Sequence, residues 1–341
     1  MIIRSKAPLR VSFGGGGTDV PPYPDLRGGA VLNATIDKHV YASLTPTNNG
    51  EIHVTSLDLD TTLRYDVTQR LDYDGHLDFV KAIVKLMNVD KGFDLLLHCD
   101  APPGCGLGTS SAEVVAIIGA FREWLSLPLG TYDIAELAYK AEREEVKLAG
   151  GRQDQYASTH GGINFIEFLG RTTIVNPLRI PSEIIAELQY RSILCYTGKT
   201  RLSAGIIQDQ SQRLVQGQEE ALKAFDETKA LAFSMKNSLL LGKLSEFGKL
   251  LDQGWLHKKK FSPMITSQLI DKLYAIAIES GALGGKLLGA GGGGFLFVFC
   301  DINKKQNVAK SLVQGGGQIM DFSLEFQGLQ SWVVKESPNA I

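Results

Sequence analysis

The sequence predicts an α+β protein of two domains, on three observations. Its 341 residues exceed the ~100–200 typical of one domain. A strand-like run, a glycine-rich turn and a helical pattern follow one another over residues 93–125, among further strand patterns. After Pro181 the character changes: from about 202 to 281 nearly everything reads as long helices, and strand patterns return only afterwards, as in an α+β unit. The division is therefore placed at 1–185 and 186–341.

Taken in order, residues 2–13 alternate as a strand and end in Gly14–Gly17, Thr18 and Asp19. Pro21, Pro22 and Pro24 then exclude a regular strand or helix, so a loop is expected. Strands are predicted in VLNATIDKHVYASLTP, IHVTSLD and TTLRYDV, and a helix over 77–87, where Leu77, Val80, Ile83, Val84 and Met87 share a face. The apolar run GFDLLLHC leads into the turn, and Val114, Ile117, Ile118, Phe121 and Leu125 line one side of the helix that leaves it. A helix over 132–147 buries Ile134, Leu137 and Ala141 and ends in Glu142, Arg143, Glu144, Glu145 and Lys147, a run that reads as a solvated face. Asp154 follows a Gly-Gly break at the start of a short helix, where a lone Asp is commonly an N-cap. GGINFIEF and TIVNPLR close the first half as strands, and SILCYTG opens the second. Lys258–Lys260, the only basic run, is accounted for by a helix C-terminus and solvent. GKLLGAGGGGFLFVFCD, a helix over 304–314 and the strands QIMDFSLEF and LQSWVVKE complete a small antiparallel sheet.

Composition narrows the function. With 44% hydrophobic and 21% charged residues and a net charge of −2, nothing in the bulk charge points to nucleic acid or an anionic membrane. The N-terminus has no long apolar h-region and no run approaches the ~20 apolar residues of a membrane span, so a cytoplasmic protein is expected. Cys99, Cys105, Cys195 and Cys300 are scattered without a CxxC pair, which fits a reducing compartment and argues against a zinc site.

The stretch from Asp100 to Ala112, DAPPGCGLGTSSA, carries the chemistry. Strand, glycine turn and helix bring free backbone N–H groups and a positive helix end to one point, where an anion is favoured. Gly104, Gly106 and Gly108 let the backbone approach a phosphate, and Thr109, Ser110 and Ser111 offer hydroxyls to a phosphate oxygen or a magnesium ion. A capped glycine turn without a ligand has the same spelling. A Walker loop is excluded, because five residues before Gly198-Lys199-Thr200 stands Ile193. Gly289–Gly294 spells GxGxxG but runs into the strand FLFVFC instead of a helix, and neither HRD nor DFG is present.

Three motifs together resemble the GHMP kinase family: APLRVSFGGGGTD at 7–19, PPGCGLGTSSA at 102–112 and LLGAGGGG ending at Gly294. They fall in the family's order across essentially the whole chain. GGGGTDVPPY, GGAVLNATID and AERE…GGRQDQYAS…GGINFIEF are most similar to its bacterial heptose kinases. The resemblance implies a first domain with a left-handed βαβ crossover, an exception to the usual hand, and a ferredoxin-like second domain. It also implies ATP and Mg²⁺ as cofactors and phosphorylation of a sugar phosphate, D-glycero-D-manno-heptose 7-phosphate, at its anomeric hydroxyl. A fucokinase-like sugar 1-kinase and a non-catalytic sugar sensor on the same fold are the alternatives. No nucleic acid or membrane partner is expected, and a homodimer is left open.

By the same resemblance, Pro103, Gly104, Cys105, Gly106, Leu107, Gly108, Thr109, Ser110 and Ser111 form the nucleotide loop. Ser110 and Glu142 are the magnesium ligands, with Glu145 a rival because the spacing to Asp154 is one residue longer than in mevalonate kinases. Asp154 is the catalytic base, and Arg10 stabilises the spreading negative charge. Asp19, with Gly16, Gly17 and Thr18, holds the sugar, although galactokinase has Glu and His where Gly16 and Gly17 stand. Gly291 and Gly292 pack near the loop and the sugar. Lys199 and Arg201, at a helix start outside the nucleotide motifs, are candidates for the acceptor's remote phosphate. Read singly, Arg10 is also a strand-end surface arginine, Glu142 a solvated acid and Asp19 an Asx-turn residue.

Overall fold

The computed structural model describes residues 1–69, 71–200, 204–216 and 219–335. In chain order the elements are β1 (Ile3–Gly14), α1 (Tyr23–Arg27), β2 (Gly29–Pro46), β3 (Glu51–Ser56), β4 (Thr61–Asp66), α2 (Asp78–Leu86), β5 (Phe93–Cys99), α3 (Thr109–Leu125), α4 (Thr131–Tyr139), a π-helical turn (Lys140–Glu145), α5 (Gln153–His160), β6 (Ile163–Leu169), β7 (Thr172–Pro177) and α6 (Ser182–Arg191). Then follow β8 (Ser192–Tyr196), α7 (Ala204–Val215), α8 (Glu219–Leu240), α9 (Leu244–Lys259), α10 (Gln268–Glu279), β9 (Ala282–Leu287), β10 (Phe295–Cys300), α11 (Lys305–Gln314), β11 (Gln318–Met320) and β12 (Gln330–Val333).

Two sheets result. The first runs β12-β1-β2-β5-β3-β4, with β6 on β2 and β7 on β6. The length of β2 makes this branching possible: Gly29–Ala34 pair with β6, whereas Val40–Pro46 pair with β5. Most pairings are antiparallel, and β3 with β5 is the parallel one among the described residues, so the crossover from β3 to β5 runs through β4 and α2. Helix α3 covers this sheet; Val114, Val115, Ile117, Ile118 and Phe121 are buried against β1, β2 and β5. The second sheet runs β11-β8-β10-β9, all antiparallel. Numbered within that unit its order is 4-1-3-2, that of a split βαβ fold.

The structure departs from expectation at four places. Residues 23–27 are helical, because Pro24 lies in the first turn, where a missing N–H leaves no intrahelical bond unmade. The connection before β8 is helix α6, an element absent from the sequence expectations. The charged end of the helix expected over 132–147 is a π-turn, with Val146 N–H donating to the Ala141 carbonyl five residues back. β12 joins the first sheet, pairing with β1 from Ile3↔Val333 to Lys6↔Gln330, and not the small second sheet.

Candidate active site

A cavity of about 530 Å³ lies between the two sheets' domains and gathers the chain's three motifs. Arg10 on β1, Asp19 beyond it, the turn from Gly104 to Ser110, Asp154 on α5 and Gly291 before β10 all line it.

The turn forms one wall. Gly104, Gly106 and Gly108 take φ of 70°, 86° and 78°, left-handed values that alternate along the chain, the backbone pattern of an anion-binding nest. Gly108 caps α3 with no side-chain hydrogen bond, so the first N–H groups of the helix remain open to an anion. Thr109 and Ser110 face the cavity. Cys105 and Leu107 are buried beneath it, so they contribute through the backbone alone. Pro103 is exposed, is not on the cavity and has no N–H to give.

Ser111 turns inward and donates to Glu142 Oε2 at 2.7 Å. Ser110 Oγ stands 3.0 Å from Glu142 Oε1, and Gln155 Nε2 donates to Oε2. Glu142 is fully buried, so it is not part of a solvated face. The π-turn explains how: it accommodates one residue more than an α-turn and swings Glu142 under α3. Glu145 points elsewhere, accepting from Tyr73 Oη at 2.8 Å and Lys85 Nζ at 2.5 Å. Two cis oxygens of a magnesium octahedron lie about 3.0 Å apart, given bonds of about 2.1 Å. The Ser110–Glu142 pair therefore fits that ion in donor type and spacing.

Arg10 forks onto Asp154: Nε to Oδ1 at 2.7 Å and Nη2 to Oδ2 at 2.8 Å, with Nη1 donating to the Gly106 carbonyl at 2.6 Å. One guanidinium thus fixes the carboxylate against the glycine turn, and Asp154 is not an N-cap. A Cβ on Gly108 would stand 3.3 Å from the Asp154 carboxylate. Each Asp154 oxygen keeps a second lone pair.

Asp19 is buried and accepts from Gly17 N–H at 3.0 Å and Gln153 N–H at 3.1 Å. Burial, then the charge of Asp154, push its carboxyl above the ordinary carboxylate range. Gly16 and Gly17 line the cavity beside it. Thr18 does not; its buried hydroxyl bonds Gly15 and Ala30, so this residue ties the loop to β2.

The C-terminal glycines divide in an unexpected way. Gly289 and Gly294, not Gly291 and Gly292, pack on the turn: a Cβ would meet Gly106 Cα at 2.6 Å and the Cys105 carbonyl at 2.1 Å, respectively. Gly291 lines the cavity, whereas Gly292 donates to the Ile265 carbonyl and does not. Lys199 is exposed and off the cavity; its carbonyl accepts from Gly294 N–H at 2.7 Å. Arg201 lies outside the described residues.

Sequence reasoning passed over two lysines. Lys258, assigned above to solvent, is 6% exposed and donates to the Leu287 and Gly289 carbonyls at 2.9 and 2.5 Å. Lys286 on β9 is 5% exposed. Both line the cavity. Burial, then Arg10, hold the Lys286 ammonium down at about 7, and burial with the Lys286 charge holds Lys258 well below the usual lysine range.

Residues 78–162 match the N-terminal domain of GHMP kinases and residues 234–317 their C-terminal domain. The chain is 41% identical, over 97% of its length and 98% of the relative's, to D-glycero-alpha-D-manno-heptose 7-phosphate kinase of Campylobacter jejuni. It is 28% identical over 90% of its length to a bifunctional fucokinase/GDP-fucose pyrophosphorylase of Arabidopsis thaliana, spanning 30% of that protein. A crystal structure described as a D-glycero-D-manno-heptose 1-phosphate kinase from Bacteroides thetaiotaomicron superposes with a TM-score of 0.83 at 35% identity, covering 98% of this chain and all of the other. The chain belongs to the GHMP kinase family.

Proposed function

We propose that this chain transfers the γ-phosphoryl group of ATP to the anomeric hydroxyl of a heptose 7-phosphate. The observation that carries the reading is the Arg10–Asp154 fork between an open phosphate-binding turn and the polar pocket of Asp19, all on one cavity. The relative at 41% identity is named for that acceptor. The structural neighbour's name puts the phosphate at position 1, which would leave no free anomeric hydroxyl.

In this reading the N–H groups of the turn and of α3 hold the β and γ phosphates. Ser110 and Glu142 would hold Mg²⁺, whose chemistry there is to neutralise charge on those phosphates. Asp19 and Gln153 orient the sugar. Asp154 takes the proton of the anomeric hydroxyl on the lone pair that Arg10 leaves free. Arg10 balances the negative charge as it spreads over the transferring group. Anchoring Arg10 to the Gly106 carbonyl fixes the base relative to the phosphates, so little reorganisation is needed at the moment of transfer. A coupled ADP-release assay over heptose 7-phosphate, heptose, mannose, fucose and galactose tests the reading. Highest kcat/KM on fucose would favour the fucokinase-like alternative, and no sugar-dependent turnover would favour a sensor.

A further inference from the structure

We propose that Lys258 and Lys286 form the seat for the acceptor's own phosphate monoester, a reading that rests on the acceptor being a sugar phosphate. Both lysines belong to the second domain, and both reach the cavity from beneath its surface. An ammonium group carries three donors. Two on Lys258 are taken by the carbonyls of Leu287 and Gly289, which fix its position and leave one donor over. Lys286 Nζ has no hydrogen-bond partner among the described residues, and neither lysine forms an ion pair among them.

Buried cations without a paired anion are costly. The charged groups facing them on the cavity do not offset this. Arg10 is committed to Asp154, and Arg143 to Glu142 at 3.8 Å, so neither pair leaves an anion over. Asp19 alone opposes them, and two backbone N–H groups already hold it. The anion that would stabilise their charged forms would therefore come with a ligand. ATP has its own cradle in the N–H groups of the turn and α3, so a phosphate on the acceptor is the anion left to account for. The exposed Lys199, off the cavity, lacks this geometry.

The seat also couples binding to protons. An arriving phosphate favours the ammonium form of both lysines, which burial in the empty cavity disfavours. Titrating D-glycero-D-manno-heptose 7-phosphate into the full chain without nucleotide, in two buffers of different ionisation enthalpy at pH 7.5, should show net proton uptake. Lys286→Met and Lys258→Met should each lower it. In kinetics, Lys286→Met should raise KM for the heptose 7-phosphate 10-fold or more with kcat within about threefold. The kcat/KM ratio of heptose 7-phosphate to heptose should fall by the same factor. Lys258→Met tests the second member and Lys258→Arg should restore part of the effect; Lys286→Met, which removes an unpaired buried charge, keeps the test valid if Lys258→Met does not fold. Equal losses of kcat on both sugars would assign the lysines to the transferred phosphoryl group, and an unchanged KM would place the seat elsewhere; either overturns the proposal. A wild-type enzyme that does not prefer the phosphorylated sugar would instead refute the proposed acceptor.

Discussion

Replacing Asp154 by Asn tests the chemistry most directly, because the substitution is nearly isosteric. The new amide can accept one hydrogen bond from Arg10 where the Asp154 carboxylate accepts two, at 2.7 and 2.8 Å, and its NH₂ would face a guanidinium N–H. Arg10 is 3% exposed and cannot turn to water. Losing one charge-assisted bond there should lower stability by about 1.5–3 kcal/mol. The Asp154 side chain is itself 20% exposed, so the smaller figure is expected. Turnover should suffer more. A lost general base commonly lowers kcat by about 10²–10⁴, and a factor of 10² corresponds to about 2.7 kcal/mol of transition-state stabilisation. An anomeric hydroxyl is more acidic than an ordinary alcohol, which places the loss at the low end. KM for ATP should hold within about threefold, since the turn that would cradle it keeps its geometry. The assay is steady-state ADP release with saturating heptose 7-phosphate, alongside thermal unfolding to separate chemistry from folding. Turnover within threefold of wild type in a folded variant would remove Asp154 from the proton transfer and leave it a partner of Arg10 only.

Other predictions follow from the same geometry. Ser110→Ala and Glu142→Gln should each raise the magnesium concentration for half-maximal rate by about 10-fold, whereas Glu145→Gln should titrate as wild type because Glu145 serves Tyr73 and Lys85. Gly106→Ala should destabilise the protein by about 1–3 kcal/mol and weaken ATP binding, since it combines a φ of 86° with a Cβ 2.7 Å from the Leu288 carbonyl; unfolding midpoints and nucleotide titration would show it. Lys286 gives a pH signature. Its folded-state value of about 7 lies below the ordinary lysine value of 10.5, so the unfolded chain binds more protons between those limits and stability rises as pH increases through that window. Lys286→Met should remove one proton's share of that rise, a slope of at most about 1.4 kcal/mol per pH unit, and leave the part of the Lys258 share that burial sets. Denaturant midpoints from about pH 6.5 to 10 measure the difference.

What the sequence made legible was what local chemistry dictates. The glycines at 104, 106 and 108 announce a turn that needs left-handed backbone, and the apolar runs of β1, β2 and β8 announce strands, which are largely buried on both faces. Other features depend on partners far along the chain. A lysine in sequence reads as solvated; that Lys286 is buried depends on β9 pairing with β10 and packing under α9. The charged run Glu142–Lys147 looks uniform, and only the π-turn separates the inward Glu142 from the outward Glu145. Nothing near Gln330 says that its strand belongs beside residues 3–6. The short helix at Tyr23 was hidden by prolines that favour a helix start as much as they forbid a helix interior.

The pairing of β1 with β12 has a mechanical consequence. Ile3 and Val333 face each other in an antiparallel ladder, so a pulling force on the two ends would load its hydrogen bonds one after another and peel the strands apart like a zipper. Such a joint resists little tension. The same geometry brings positions 3 and 333 to about 4.5–5.5 Å, the spacing of facing residues. A short flexible linker would therefore close the chain into a ring, and new ends could be opened at an exposed turn such as Gly75 without moving the cavity.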